Sequence, residues 1–148
     1  MTLDRVHREH IVWRRVTGFS DLNRLRNAIC GLLFDCAAET VVSVLLFVDE
    51  VCSTASERGA FPIEVCLVRG VDPHYLRVDI DGPELAAPGR PGFMDRGEDA
   101  GAAGWGVNYR EQNMGIWAYL TLPMPAHGHP VAPWSRLAVQ LPANPMLN

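Results

Sequence analysis

Residues 47–55 read FVDEVCSTA and lie at the end of a long apolar run. The run, residues 40–51, is almost entirely Val, Leu and Phe, which is typical of a helix buried in a protein core. Glu50 breaks this pattern, and at helical spacing it shares one face with Ser53 and Thr54. A carboxylate on such a helix is rarely buried without a partner or a chemical role. The stretch therefore predicts a core helix whose polar face, centred on Glu50, is the first candidate for a functional site.

Strand and helix signals on either side of this stretch predict two helices and five strands. Ser20 and Asp35 are suitable N-caps for the two helices, and Gly59 follows the second helix where a left-handed stop is expected. Trp13 is the largest apolar residue of the first strand, and we expect it to be that strand's main apolar anchor. The order of the predicted strands and helices along the chain predicts an α+β two-layer sandwich with helices on one face of a mostly antiparallel sheet. The predicted elements are a strand at 10–16, helices at 20–34 and 36–58, and strands at 63–68, 75–80, 105–109 and 115–122.

The composition changes twice in the second half of the chain. Residues 84–104 are rich in Gly, Pro and Ala and have no clear period, and a connection of this length is typical of a functional lid or a disordered segment. Residues 123–148 contain six prolines and no convincing period, which predicts a tail. We therefore expect one domain over residues 1–122, with a lid at 84–104, followed by a proline-rich tail over residues 123–148.

Charge and composition argue against several classes of function. The net charge of −4 gives no general electrostatic reason to bind nucleic acid or an anionic membrane. All 13 residues counted as Lys or Arg are arginines, so neither a Schiff-base lysine nor a P-loop lysine exists. No apolar run approaches the roughly 20 residues that cross a bilayer. We expect a cytoplasmic protein that binds neither nucleic acid nor a membrane.

The four cysteines show no CxxC spacing, and most lie among apolar neighbours. We expect them to be reduced core residues and not a metal cluster. They are Cys30, Cys36, Cys52 and Cys66.

Two short motifs extend the argument from fold to function. Residues 78–83 read VDIDGP and place an Asp–Gly pair at the end of a predicted strand, and residues 105–107 read WGV. Together with the element order and Glu50 on the second helix, they resemble the histidine-kinase-like ATPase fold. Within that fold the chain is most similar to the small stand-alone anti-sigma factor serine kinases of bacteria. The resemblance covers about residues 11–122.

The resemblance implies a site for ATP and magnesium. Glu50 matches the family's catalytic Glu, which orients or deprotonates the attacking group. Thr54 stands where the family has the Asn that binds magnesium, and a threonine hydroxyl can also ligate this metal. Asp81 matches the Asp that hydrogen-bonds the adenine amino group, and Gly82 would let the base approach the backbone closely. The resemblance thus assigns nucleotide contacts to Glu50, Thr54, Asp81 and Gly82, with Glu50 as the catalytic residue and Thr54 as the metal ligand.

The sequence departs from the family pattern at three places. Thr54 replaces the Asn, and residues 92–104, GFMDRGEDAGAAG, lack the Gly-x-Gly-Leu pattern that opens a phosphate-holding helix. Residues 114–116, MGI, lack the hydroxyl that usually precedes the aromatic residue of the last strand. A domain that only presents a surface can lose such groups without losing its fold.

These departures shape the expected function. We expect an anti-sigma-factor-like regulatory protein that binds a sigma factor or its antagonist, with weak or lost ATP-dependent serine kinase activity. Family members commonly pair, so a homodimer is also expected. Two alternatives are an active ATP- and Mg-dependent protein serine kinase, and a small-molecule sensor that uses the former nucleotide pocket.

Each candidate residue also has a simpler interpretation. Glu50 could be a surface carboxylate paired with Arg58 or Arg69, and the Asp–Gly–Pro sequence at 81–83 could be an ordinary turn. The hydroxyls of Ser53 and Thr54 could donate to backbone carbonyls one helical turn earlier.

Overall fold

A computed structural model of the chain describes residues 9–95 and 101–123. All strand pairs in its five-stranded sheet are antiparallel, and the strands are ordered β1-β2-β3-β5-β4. The two helices pack on one face of this sheet, so the predicted α+β arrangement of helices on a largely antiparallel sheet is confirmed. The elements are β1 (Glu9–Val16), α1 (Phe19–Leu32), α2 (Ala38–Glu57), β2 (Ile63–Val71), β3 (His74–Gly82), β4 (Ala103–Arg110) and β5 (Asn113–Thr121), with a 3-10 turn at Gly92–Asp95.

One face of the sheet forms the core with the helices. Because side chains alternate between the two faces of a strand, every second residue of β3 is buried. These residues are Leu76, Val78 and Ile80, each no more than 1% exposed. They pack in one cluster with the buried residues of α1 and α2. We call this side of the sheet the helix face and the opposite side the open face.

The helix ends differ from the sequence prediction in two places. Gly18, and not Ser20, is the N-cap of α1, and Asp21 accepts hydrogen bonds from the backbone N–H of Thr17 at 2.8 Å and from its hydroxyl at 2.5 Å. The prediction of Ser20 as the cap was wrong because the helix begins at Phe19, which places Ser20 inside its first turn. The bonds from Thr17 lower the pKa of Asp21.

The second helix begins later and ends where it was predicted. Its N-cap is Ala37, because the carboxylate of Asp35 binds Arg69 instead of the helix N-terminus. Gly59 follows the helix with a φ of +66°, which confirms the left-handed stop.

The first strand is not anchored in the core by Trp13. The side chain of Trp13 is 60% exposed, and that of Ile11 is 58% exposed. Both belong to the open face, because Trp13 pairs with Cys66 and Ile11 pairs with Val68 in a register that carries all four to that side. The expectation that Trp13 is the main apolar anchor was wrong because it ranked residues by size and not by alternation.

The segment predicted as a lid has several parts. Residues 83–91 are irregular, the 3-10 turn follows, and β4 begins at Ala103, so the end of the predicted segment belongs to the sheet. Residues 96–100 and the predicted tail from residue 124 onward lie outside the described residues.

Candidate functional site

Glu50 and Thr54 lie together on α2, as their spacing predicts. The Glu50 side chain is exposed, and its Oε2 accepts a hydrogen bond of 2.9 Å from the backbone N–H of Gly89. The Thr54 hydroxyl donates to the backbone carbonyl of Glu50 at 2.9 Å. This is the helical back-bond that the simpler interpretation predicted for Thr54. Glu50 therefore joins α2 to the connection after β3.

A cavity of about 440 Å³ opens beside Glu50. Its walls carry both signs of charge, because Asp49 and Glu50 face it from α2 and Arg90 faces it from the connection after β3. Arg90 pairs with Asp95 at 2.8 Å, and Asp49 pairs with Arg26 at 3.0 Å. Asp49 and Arg90 thus already have partners within the chain, and a small ligand bound there would meet groups of either charge. The cavity is lined by Leu46, Phe47, Asp49, Glu50, Ser53, Arg90, Pro91 and Gly92.

Asp81 lies on the open face, away from α2. It alternates with the buried Ile80 and stands directly opposite Gly115 of β5. The Oδ1 atom of Asp81 is only 2.8 Å from the position that a Cβ would take at Gly115. On the same face, burial raises the pKa of the Cys66 thiol, and the charges of Asp79 and Asp81 add to this effect against that of Arg77. The structure does not bring Asp81 and Glu50 together, because the sheet separates them.

Gly82 lies on the helix face, and its surface is already covered. A Cβ added there would be 3.1 Å from Cδ2 of Leu85, a residue that is itself buried. Gly82 therefore allows Leu85 to pack closely against the end of β3.

The four predicted nucleotide contacts do not converge on one site. Glu50 lines the cavity beside α2, the Thr54 hydroxyl is bonded to the helix backbone, Asp81 belongs to the open face, and Gly82 lies against Leu85. Within residues 9–95 and 101–123, no three His, Cys, Asp or Glu side chains are arranged to hold a metal ion. This arrangement does not fit an ATP molecule held by all four residues. The catalytic role of Glu50 and the metal-binding role of Thr54 stay predictions.

A buried ion pair that sequence reasoning missed lies at the other end of the helical layer. Arg69 of β2 is 7% exposed and binds Asp35 through two contacts of 2.9 and 3.3 Å. It also donates to the carbonyls of Leu32 at 2.8 Å and Gly70 at 3.2 Å, and its remaining Nη2 contact is His74 Nδ1 at 3.0 Å. Because its donors are occupied by the protein itself, Arg69 is a structural residue that connects the end of α1 to the sheet.

Electrostatics at this cluster follow from burial and from the arginine. Partial burial alone would raise the pKa of Asp35, but the hydrogen bonds and charge of Arg69 outweigh it and lower that pKa. Burial raises the pKa of the neighbouring Cys36 thiol to about 11. The signal in the sequence was available: residue 69 follows Val65 and Leu67 at the spacing of the buried face, so an arginine there requires a buried partner.

The open face carries aromatic and charged side chains. The indole of Trp117 lies over Gly106, where a Cβ would be 2.8 Å from its ring. The rings of Tyr75 and Tyr119 stack with centroids 5.5 Å apart. Arg77 and Asp79 form an ion pair of 2.9 Å between these aromatic groups.

No helix in the part of the chain that the structure describes is long and apolar enough to span a membrane. Comparison of the chain with models of known protein families and with curated proteins found no match. Its function is therefore inferred from its residues and their geometry.

Proposed function

We propose that this chain is an anti-sigma-factor-like regulatory module with a histidine-kinase-like fold, which binds a protein partner and has weak or lost phosphotransfer activity. The observation that carries this proposal is the separation of Glu50 from Asp81 by the sheet. A kinase of this type requires its catalytic carboxylate and its adenine-reading carboxylate to contact the same nucleotide. Binding of a protein partner does not require the two carboxylates to meet, because the fold alone suffices to present a surface.

The central part of the open face is the surface that we assign to the partner. It combines Trp117, Tyr119 and Arg77 with the acidic Asp79. Aromatic residues and arginine are enriched at the centres of protein–protein interfaces, where they contribute most of the binding free energy. We infer the nature of the partner, a sigma factor or its antagonist, from the resemblance of residues 11–122 to the anti-sigma factor serine kinases.

Two measurements test this proposal. In calorimetric titration with ATP, with and without Mg²⁺, we expect no measurable heat for either the unchanged chain or Asp81→Ala. Binding in the micromolar range that Asp81→Ala weakens, or phosphate transfer to a serine of the partner that Glu50→Ala abolishes, would favour the active kinase instead.

Partner capture is the second measurement. Pull-down from the host without added ATP is expected to recover a sigma factor or its antagonist, and Arg77→Glu is expected to reduce that recovery at least tenfold. Arg110→Glu is the matched control, because it makes the same charge change at an exposed residue at the end of β4. Recovery of neither protein class, or equal loss with both variants, would contradict the proposal.

A small-molecule sensor is the second candidate, and the cavity beside Glu50 favours it. A ligand with both charge signs could contact Glu50 and Arg90 at once. Thermal-shift screening with amino acids and other zwitterions tests this candidate. A stabilising ligand whose effect is lost in Glu50→Gln but kept in Glu57→Gln would support the sensor over the protein-binding module.

A further inference from the structure

One carboxylate on the open face is left without a counter-ion. Two neighbouring carboxylates on this face each have an arginine, because Arg77 pairs with Asp79 at 2.9 Å and Arg15 lies 3.6 Å from Glu64. Asp81 stands directly opposite Glu64 in the sheet and has neither a hydrogen bond nor an ion pair with any other described residue. This part of the open face therefore carries an excess of one negative charge.

A gap in the surface lies next to this carboxylate, because Gly115 has no side chain. Gly115 pairs with Asp81 on one side and with Asn108 on the other. The carboxylate leans over the glycine, since Oδ1 of Asp81 is 2.8 Å from the position that a Cβ would take there. The side chain of Asn108 is exposed and makes no hydrogen bond within residues 9–95 and 101–123. A free carboxylate and a free amide thus border one shallow gap.

Trp117 supplies an apolar surface beside the gap. It follows Gly115 by two residues on β5, so both belong to the open face, and it lies diagonal to Asp81 of β3. One side of its indole covers Gly106, and part of the indole surface stays exposed. An exposed apolar ring next to an unpaired carboxylate matches an arginine, whose methylene stem packs on apolar groups while its charged end binds polar ones.

We propose that the protein partner docks an arginine side chain at Gly115, with its stem against Trp117 and its guanidinium on Asp81. This inference rests on the proposed function, because it names the chemistry that the partner presents to the open face. A guanidinium donates two parallel hydrogen bonds to a free carboxylate, and the side-chain oxygen of Asn108 is a further acceptor. Its weaker hydration favours it over a lysine ammonium at a carboxylate that is itself partly buried.

A small probe tests the site without the partner. Nα-acetyl-arginine amide is titrated into the full chain at constant ionic strength and followed by NMR. We expect saturating shifts of the Gly115 backbone N–H and the Trp117 indole N–H, with a dissociation constant in the millimolar range. Nα-acetyl-citrulline amide has nearly the same shape and no charge, and it should bind about tenfold more weakly. Nα-acetyl-lysine amide should also bind more weakly than the arginine probe.

Variants of the chain assign the binding to the named residues. Asp81→Asn keeps the shape of the side chain, removes its charge and should weaken binding of the arginine probe about tenfold. Glu57→Gln removes the same charge from α2, on the other side of the sheet, and should leave binding unchanged. Trp117→Leu should weaken binding about threefold through loss of the ring. The NMR spectrum of each variant shows whether it is folded.

The outcomes separate this inference from the proposed function. Equal affinity for the arginine and citrulline probes, tighter or equal binding of the lysine probe, or equal affinity of Asp81→Asn and Glu57→Gln would overturn the arginine site. Capture of a sigma factor or its antagonist that Asp81→Asn leaves unchanged would also overturn it, while the proposed function would stand. Probe binding as expected, with neither protein class captured, would support the arginine site and contradict the proposed function.

Discussion

The carboxylate of Glu50 and the backbone N–H of Gly89 are joined by a hydrogen bond of 2.9 Å. This bond connects the middle of α2 to the irregular segment that follows β3. The residue to which the resemblance assigns catalysis therefore holds a neighbouring segment in place. Glu50 also lines the cavity that Arg90 lines from the other side.

Loss of the bond between Glu50 and Gly89 should be detectable at the Gly89 amide. Glu50→Ala is expected to increase hydrogen exchange at the Gly89 amide about fivefold, because a hydrogen bond to a charged acceptor at an exposed site contributes on the order of 1 kcal/mol. Global stability should change by less than about 1 kcal/mol. Glu57→Ala, on the same helix, is the control and should leave Gly89 unchanged. Equal exchange rates in the two variants would mean that the contact does not form in solution.

The ion pair of Asp35 and Arg69 is expected to contribute strongly to stability. Asp35→Ala leaves the guanidinium of Arg69 buried without its carboxylate, and breaking such a pair costs on the order of 3 kcal/mol. Asp95→Ala removes the carboxylate of an exposed pair with Arg90 and should cost less than about 1 kcal/mol. Urea unfolding curves of the two variants check this difference. Similar midpoints would show that Arg69 finds another partner or reaches solvent.

The same pair predicts a dependence of stability on pH. Because the pKa of Asp35 is lower in the folded chain, its contribution is fully present above the unfolded value of about 3.9. It is lost as the pH falls through the folded value. We therefore expect the difference in unfolding free energy between the unchanged chain and Asp35→Asn to be constant from pH 7 to about pH 5. It should shrink at lower pH, and a difference that grows on acidification would contradict the lowered pKa.

Replacement of two glycines by alanine is expected to change the stability of the chain in opposite directions. A Cβ at Gly70 would overlap the ring of Tyr75, which is held by stacking on Tyr119, so Gly70→Ala should destabilise the chain by about 1–3 kcal/mol. Gly31 lies in α1 with no atom within 4 Å of an added Cβ. Gly31→Ala should therefore stabilise the chain by up to about 1 kcal/mol, because alanine favours the helix. Thermal unfolding of both variants measures whether each substitution destabilises or stabilises the chain.

Two of the four thiols are expected to be chemically inert. Burial raises the pKa of Cys52 to about 12 and that of Cys36 to about 11. At pH 8 their thiolate fractions are on the order of one in ten thousand and one in a thousand, and only the thiolate reacts. A thiol-specific reagent should modify the half-buried Cys66 well before Cys52 in the native chain. Modification of Cys52 at the same rate would show that the core opens on the time scale of the reaction.

Elements with a strong local signal were predictable from the sequence. The left-handed Gly59 and the apolar face of α2 depend on residues close together in the chain. Strand alternation was equally local, and applied strictly it places Asp81 and Trp13 on the open face. The roles of Asp81 and Trp13 were predicted from a motif and from side-chain size. Neither criterion indicates which face of the sheet a side chain occupies.

Contacts between distant segments were not predictable in the same way. Asp35 meets Arg69 across 34 positions, and Glu50 meets Gly89 across 39. The segment that carries Gly89 has no period, so nothing in its sequence indicates which part of α2 it contacts. Such contacts depend on the assembled sheet and helices, and the candidate site depends on them more than the fold does.

The strand order also bears on how this protein can change over evolution. Hairpins β2–β3 and β4–β5 are each closed by two residues, at 72–73 and 111–112, and they join each other only along β3 and β5. Within the connection between the hairpins, the irregular residues 86–91 lie between the buried Leu85 and Phe93, and their number can vary without altering any strand register. Doubling a flexible loop costs only about 0.6 kcal/mol in closure entropy. This connection is therefore the natural place to graft a new recognition loop, because the sheet beneath it would stay the same while the loop's chemistry diverged.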